Sequence, residues 1–494
     1  MNSDEVGAPM AALEVLSVVS EVYPLVKTGG LADVAGALPG ALAQEGVAMR
    51  TLVPGYPAVR AALEKPKVVL KIADLFGGSA KVVSGRAAGL DLLVIDAPHL
   101  YDRPGNPYHD ADGVDWPDNP FRFAALAKVA AEIGLGGAGG FKPAVVHTHD
   151  WQTGLTAAYM EYDGRKRPGT VATIHNLAFQ GQYPKDMLAA LHLPDHAWGV
   201  EGVEYYDTIG FLKAGLKMSD RITTVSPTYA AEIRTGEGGM GLSGLLAGRA
   251  DVVHGILNGI DTEVWNPATD PLLAGHFDAA SPSSRRPNKA ALQRRMGLRV
   301  DRNAMIFGVV SRLSWQKGLD MVLEGIETIL ASGGQLALLG SGDRDLVEGF
   351  RRAMIAHPGR VACVIGYDES LAHLIQAGSD VLLVPSRFEP CGLTQLCALR
   401  YGAIPLVTRV GGLADTIIDA NEMALEAGAG TGIMFSPPHG DMFRAAVQRA
   451  AALYEDQSVW RRLMKNAMRT DVSWARSAAR YAALYRELVA ERGG

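Results

Sequence analysis

Long apolar runs are missing from these 494 residues: no stretch of about 18 uncharged apolar residues occurs, so no membrane-spanning helix is expected. Cysteine is scarce. Cys363, Cys391 and Cys397 are odd in number and show no disulfide framework, which argues against a stapled secreted fold and favours a reducing cytoplasm. A positive excess is also lacking, since the net charge is −6. Wholesale nucleic-acid binding is therefore not expected, and any anionic ligand must be met locally. The opening Met1-Asn-Ser-Asp-Glu-Val6 lacks the basic region of a secretory signal. What is plentiful is glycine, 57 residues, which suits many tight strand–helix turns. The chain is too long for one core, so two or more domains are expected.

Buried-type strands alternate with helical stretches. In the first half, residues 1–256, strands are expected over Glu14–Ser20, Leu92–Ile95, Ala144–Val146, Val171–Ile174 and Arg221–Val225, with helices from Leu31, over Phe121–Ile133 and over Gly154–Tyr162. Pro39-Gly40 is expected to kink or restart the first helix. A second series, residues 257–473, has strands over Ala304–Val310, Gln335–Leu339, Arg360–Ile365, Val381–Val384 and Ile404–Val407. Its helices are expected over Gly318–Leu330, Arg344–Ile355, Glu369–Ala377 and Leu393–Tyr401, and Asp278–Asn288 reads as a surface loop. Such alternation argues a parallel sheet covered by helices in each half. Gly29-Gly-Leu-Ala-Asp33 reappears as Gly411-Gly-Leu-Ala-Asp415, which supports two related halves. The fold class is therefore α/β, two Rossmann-like doubly wound domains facing a cleft.

The chemistry gathers at predicted strand ends, where doubly wound sheets place ligands. Pro385-Ser-Arg-Phe-Glu-Pro-Cys-Gly-Leu-Thr394 links a strand to a helix. A helix N-terminus offers unpaired N–H groups to a phosphate, and Gly392 lets an anion approach the amides of Leu393 and Thr394. Glu389 beside them can accept hydrogen bonds from sugar hydroxyls; taken alone, this loop reads equally well as an ordinary Gly-opened helix with a surface Glu. Arg312 and Lys317, in Ser311-Arg-Leu-Ser-Trp-Gln-Lys-Gly318, and Lys27 in the loop ending Gly29-Gly30 add cations at other strand ends. Their joint placement outweighs the reading as solvated loop charge.

Several matches fail on context. Gly134-Leu-Gly-Gly-Ala-Gly139 follows a helix and precedes a strand, the reverse of the dinucleotide motif, and reads as a flexible connector. His147-x-His149 beside Asp150 resembles a metal trio, but adjacent strand residues point to opposite faces and no distant His pair is evident. Asp110-x-Asp112 and Asp343-x-Asp345 are too short to carry a metal site. No metal is expected, and His175, ending a strand, is more often structural than catalytic by itself.

Jointly the motifs resemble those of bacterial glycogen (starch) synthases. The residues are Lys27-Thr-Gly-Gly-Leu-Ala-Asp-Val34, Val146-His-Thr-His-Asp-Trp151, Ile174-His-Asn-Leu-Ala-Phe-Gln-Gly181, Gly255-Ile-Leu-Asn-Gly-Ile-Asp261, Ser311–Gly318 and Ser386–Gln395, in order along nearly the whole chain. The resemblance implies a GT-B fold whose last segment, about 474–494, crosses back onto the first domain. It implies transfer of glucose from ADP-glucose to the non-reducing end of an α-1,4-glucan, with retained configuration, no cofactor and no metal. It places Lys27, Gly29 and Gly30 on the nucleotide phosphates, and Arg312 and Lys317 on the departing diphosphate with the Gly392, Leu393 and Thr394 backbone. Glu389 would hold the donor glucose, His175 and Asp150 would lie by the transferred sugar, Asn258 would line the cleft, and Tyr367 would pack on the adenine. Many retaining relatives carry a second Glu eight residues after the first; here that position is Cys397, as in the bacterial synthases, so no enzymatic nucleophile is assigned. Competing readings are a related transferase with another donor or acceptor, and a glucan- or nucleotide-binding protein without catalysis. A phosphorolytic enzyme is disfavoured because no Lys suited to pyridoxal phosphate stands out.

Overall fold

The computed structural model describes residues 12–110 and 112–493; the opening residues 1–6 lie outside them. Contacts divide the chain into two units. One runs to Val225 and takes in Ala230–Asn258 and the segment from Trp474; the other comprises Ser226–Tyr229 and Gly259–Ser473.

The first unit is built on a nine-stranded sheet in the order Val253–Gly255, Arg221–Thr224, Gly169–Ile174, Val145–His149, Leu13–Val18, Val47–Pro54, Leu90–Asp96, Ala80–Ala87, Glu64–Ile72. Neighbours in this sheet are parallel as far as Leu90–Asp96. The last three strands form an antiparallel meander. This corrects the expectation of a wholly parallel sheet. Glu64–Ile72 is largely exposed, with Lys65, Lys67 and Lys71 along it, which hides it from a search for apolar runs and suits an edge. Adjacent residues of the central strands enter different cores. Val15 and Val145 pack with Val34, Leu38 and Leu42 on one face; Leu16 and Val146 pack with Phe123, Leu126 and Val129 on the other. Burial on both faces is what a doubly covered sheet requires.

The helix Gly30–Ala43 runs unbroken through Pro39, contrary to the expected kink. Its buried face (Leu31, Val34, Ala35, Leu38, Leu42) evidently outweighs the single backbone bond that proline removes. The C-terminal helix Ala475–Gly493 packs in the first unit: Trp474, Tyr481, Tyr485 and Leu488 share a core with Val15, Leu38 and Leu42. Gly134–Gly136 end the helix Asn119–Gly136, and the turn beyond is tied by reciprocal Ala138–Phe141 backbone bonds.

The second unit holds a six-stranded sheet in the order Val361–Ile365, Gln335–Gly340, Ile306–Val310, Val381–Val384, Ile404–Thr408, Ile433–Phe435, all neighbours parallel. The expected helix over Gly318–Leu330 is two, Leu319–Glu324 and Ile326–Ala331, broken at Gly325. A Cβ at Gly325 would stand 2.6 Å from the Phe443 ring, so the break lets Phe443 close. The stretch Asp278–Asn288, expected as a surface loop, is largely exposed, but its last residues enter a helix, Arg286–Met296, and buried Arg285 before it donates to the carbonyls of Gln376 and Ser379. Among the described residues no helix is long and apolar enough to cross a membrane.

Candidate active site

Each sheet has a point where the chain reverses its direction of growth, and such points open a crevice at the strands' carboxyl ends. In the second unit the flanking strands are Ile306–Val310 and Val381–Val384. The two loops that leave them are Ser311–Gly318 and Pro385–Gly392, the stretches that carry Arg312, Lys317 and Glu389. In the first unit the flanking strands are Leu13–Val18 and Val145–His149, so the loop bearing Lys27, Gly29 and Gly30 leaves one and Asp150 ends the other.

The second-unit loops are zipped together. Arg387 donates its backbone N–H to the Gln316 carbonyl at 2.8 Å, and its guanidinium grips Asp320 at 2.7 and 2.6 Å while lying over the Trp315 ring. Gly318 has φ +68, and a Cβ there would fall 2.0 Å from the Pro385 carbonyl oxygen, so only glycine permits this approach. The zipping places Lys317 Nζ 2.5 Å from Glu389 Oε2, where the Ser386 hydroxyl also donates at 2.8 Å. Glu389 is 5% exposed, and removing either partner would strand the other in a poorly solvated place. Just beyond, Gly392 (φ +74) and Leu393 lead into the helix Thr394–Tyr401, whose first turn has no side-chain cap. Gln395 holds the approach from beneath by donating to the carbonyls of Cys391 and Gly392, both at 2.9 Å. Cys397 is buried in the core, so no carboxylate stands where other retaining relatives carry one. Arg312 is exposed on the same loop as Lys317, and Tyr367 is 75% exposed after the strand Val361–Ile365, with its hydroxyl donating to Glu369 at 2.8 Å.

In the first unit, Lys27 lies over the Tyr23 ring and pairs with Asp33 at 2.7 Å. Buried Glu21 organises this loop: its carboxylate accepts the Thr28 N–H, the Thr28 hydroxyl at 2.9 Å, the Gly29 N–H at 3.3 Å and the Tyr108 hydroxyl at 3.0 Å. Burial raises the Glu21 pKa despite these donors. The Gly29 amide is thus turned to a carboxylate, which differs from the sequence expectation of a phosphate contact; Gly30 opens the helix. Glu21 carried no motif signal, since its role appears only when residues seven apart close a loop.

Asp150 has φ +56 and ψ −171, a strained backbone for a residue with a Cβ. Its carboxylate accepts the His175 N–H at 2.7 Å and the Asn176 N–H at 3.4 Å, clamping the end of the neighbouring strand. Burial pushes its pKa up to about 7, against the lowering effect of those amides. The two histidines of the His-x-His motif, being two apart, share one face with ring centroids 4.1 Å apart, and a third that the sequence did not show joins them from the end of the neighbouring strand: His149 Nδ1 stands 2.9 Å from His175 Nε2. Burial lowers His175 to about 3, His147 to about 3 and His149 well below its usual value. Among the described residues no group of three or more His, Cys, Asp or Glu is arranged to hold a metal ion. Asn258, 9% exposed, has its side-chain carbonyl oxygen buried without a hydrogen-bond partner. A cavity of about 750 Å³ lies elsewhere, by the amino ends of Gly169–Ile174 and Arg221–Thr224, and its Arg167, Arg492 and Asp220 are paired with one another.

Two family models match: the starch synthase catalytic domain over residues 14–248, and glycosyl transferases group 1 over 294–469. The chain is 63% identical to the glycogen synthase of Methylocella silvestris over 98% of this chain and 100% of that one. It is 57% identical to that of Acidiphilium cryptum over 96% and 99%. The catalytic domain of starch synthase IV from Arabidopsis thaliana, solved bound to ADP and acarbose, superposes with a TM-score of 0.88 at 33% identity, covering 97% of this chain and 100% of that one. Sucrose-phosphate synthase from Thermosynechococcus elongatus, at 18% identity and a TM-score of 0.58 over 97% of this chain and 100% of that one, shares the fold. Two α/β units with parallel sheets, the paired Lys317 and Glu389 at a switch point, and similarity over nearly the whole length lead to one conclusion: the chain belongs to the glycogen (starch) synthase family of GT-B glycosyltransferases.

Proposed function

We propose that this enzyme transfers glucose from ADP-glucose to the non-reducing end of an α-1,4-glucan, with retention of configuration and without a metal. The observation that carries the reading is the Lys317–Glu389 pair, held by Ser386 beside the uncapped start of Thr394–Tyr401, in a chain 63% identical to a glycogen synthase. ADP as the leaving nucleotide is supported by the ADP-bound starch synthase neighbour.

In this reading the donor diphosphate meets Arg312, Lys317 and the Leu393 and Thr394 amides. Negative charge grows on it as the glycosidic bond breaks, and fixed cations and N–H groups stabilise that charge more in the transition state than in the ground state. Lys27 and the Gly30 start of its helix carry positive charge suited to a phosphate. Glu389 accepts from glucose hydroxyls, with Lys317 and Ser386 holding its orientation. Asp150 fixes His175 near the transferred sugar, Asn258 offers its unpartnered carbonyl oxygen to a hydroxyl, and Tyr367 stacks on adenine. With Cys397 where a second carboxylate would be, the acceptor hydroxyl attacks on the face the diphosphate leaves, and a phosphate oxygen takes its proton. The three free cysteines support a cytoplasmic setting.

The test is to incubate purified protein with ADP-glucose or UDP-glucose, glycogen and EDTA, and to measure diphosphate release together with glucan growth. Growth with ADP-glucose in EDTA is expected. Loss of growth in EDTA would remove the metal-free proposal. Equal or better growth with UDP-glucose would remove the donor assignment, and nucleotide binding without turnover would mean a non-catalytic protein.

A further inference from the structure

We propose that Ser17 and His149 form a relay that fixes His175 as a neutral hydrogen-bond donor through Nδ1, making His149 a positioning residue for the transfer reaction. The proposal rests on the reading that places His175 by the donor sugar.

The relay is built from three elements. Ser17 lies on the strand Leu13–Val18, His149 on Val145–His149, and His175 just beyond Gly169–Ile174. His149 Nε2 stands 3.3 Å from Ser17 Oγ, and His149 Nδ1 stands 2.9 Å from His175 Nε2. Ser17 and His149 are 2% and 1% exposed, so water does not serve them. The His147 ring lies against His149 and is itself fixed by the Tyr485 hydroxyl at 2.7 Å and Thr173 Oγ1 at 2.5 Å, which keeps the His149 ring from turning.

Burial holds both His149 and His175 below the usual imidazole range, so near neutral pH each ring carries a single N–H. A bond between two such rings needs one donor and one acceptor, and only two assignments supply them. In one, Ser17 donates to His149 Nε2, His149 donates from Nδ1 to His175 Nε2, and His175 keeps its proton on Nδ1. In the other every direction reverses, and His149 donates to Ser17. The reversed arrangement leaves the hydroxyl proton of Ser17 buried with no acceptor, since His149 is its hydrogen-bond partner among the described residues. The forward arrangement leaves unused only lone pairs on the same oxygen, and a buried orphan donor is the costlier of the two. The forward arrangement therefore holds. It gives His175 a neutral N–H for a sugar oxygen, without adding positive charge beside a sugar that itself becomes cation-like as its bond breaks.

The experiment is long-range ¹H–¹⁵N correlation on full-length protein labelled at histidine, with His175 assigned by its loss in His175→Asn. His175 in the Nδ1–H form is expected; an Nε2–H wild-type His175 overturns the proposal. Kinetics add a second arm. Asn places an amide N–H near the position of His Nδ1, so His149→Asn should keep kcat within about threefold of wild type. His149→Leu should lose about tenfold, the worth of one such bond. Equal loss in both folded variants would overturn the positioning role. Full activity in a folded His175→Leu would instead overturn the placement of His175 in the site, while leaving the tautomer assignment standing.

Discussion

Lys317 and Glu389 share a single short contact, and each fixes the position of the other. Glu389→Gln keeps the shape but removes the charge that orients Lys317; Lys317→Ala leaves Glu389 buried without its cation. Each should lower kcat by about 10²–10³-fold, the range for losing one preorganised electrostatic group. Unchanged kcat in both would sink the site assignment. Asp150 is legible in another way. Its folded-state pKa of about 7 stands above the ordinary aspartate value of 3.8, so between those values the folded chain holds a proton that the unfolded chain has released. Its contribution to stability is therefore lost as pH rises through that window. Asp150→Asn is uncharged and can still accept the His175 N–H, so its thermal stability relative to wild type should improve from about pH 4.5 to about pH 7.5. A difference that stays flat, or falls, in calorimetry at both pH values would refute the buried-carboxyl account. The histidines work in the opposite sense: His147 and His175 remain neutral where the unfolded chain is protonated, so they favour folding increasingly as pH rises from about 3 to about 6.5. At this scale the sequence displayed Lys317, Glu389 and Asp150 through their motifs. It did not display Glu21 or Ser17, whose partners lie on other elements or across a closed loop.

At the scale of elements, the short helix Gly411–Thr416 gives a packing reason for a glycine in the second Gly-Gly-Leu-Ala-Asp copy. Gly412 donates its N–H to the Glu389 carbonyl at 3.0 Å, and a Cβ on it would lie 2.3 Å from the Cys391 carbonyl oxygen and 2.4 Å from the Cys391 Cα. Those are backbone atoms that cannot swing aside. Gly412→Ala should therefore push the Glu389–Gly392 loop outward, lowering kcat and weakening ADP binding together; a variant with wild-type kinetics and calorimetry would show that the loop tolerates the shift. The sequence displayed the repeat but not this reason for Gly412. It also misplaced a kink at Pro39, because local propensity is read one residue at a time, whereas the six buried residues of that helix act together.

At the scale of the molecule, the C-terminal helix completes the first unit. Tyr481, Tyr485 and Leu488 cover Val15, Leu38 and Leu42, Tyr485 bonds His147, and Arg492 joins Arg167 on Asp220. Deleting residues 475–494 would uncover that whole face, and loss of one large core side chain alone costs about 2–5 kcal/mol. The truncated chain is expected to lose the cooperative unfolding of the first unit, or to be recovered only as aggregate. A truncation that melts like the full chain would contradict this packing.

What the sequence determined by itself was the alternation of strand and helix, the duplicated Gly-Gly-Leu-Ala-Asp turn and the polar residues at strand ends, because each is written in neighbouring residues. Tertiary structure alone decided which strands lie side by side, and so which loops meet. Ile306–Val310 and Val381–Val384 are some seventy residues apart in the chain, yet their pairing is what brings Lys317 onto Glu389. It likewise brought Ser17, His149 and His175 from three strands into one line, and turned the Gly29 amide inward to Glu21. The physical reason is the same in each case: hydrogen bonds between distant segments form only after sheet pairing and burial have fixed where those segments lie.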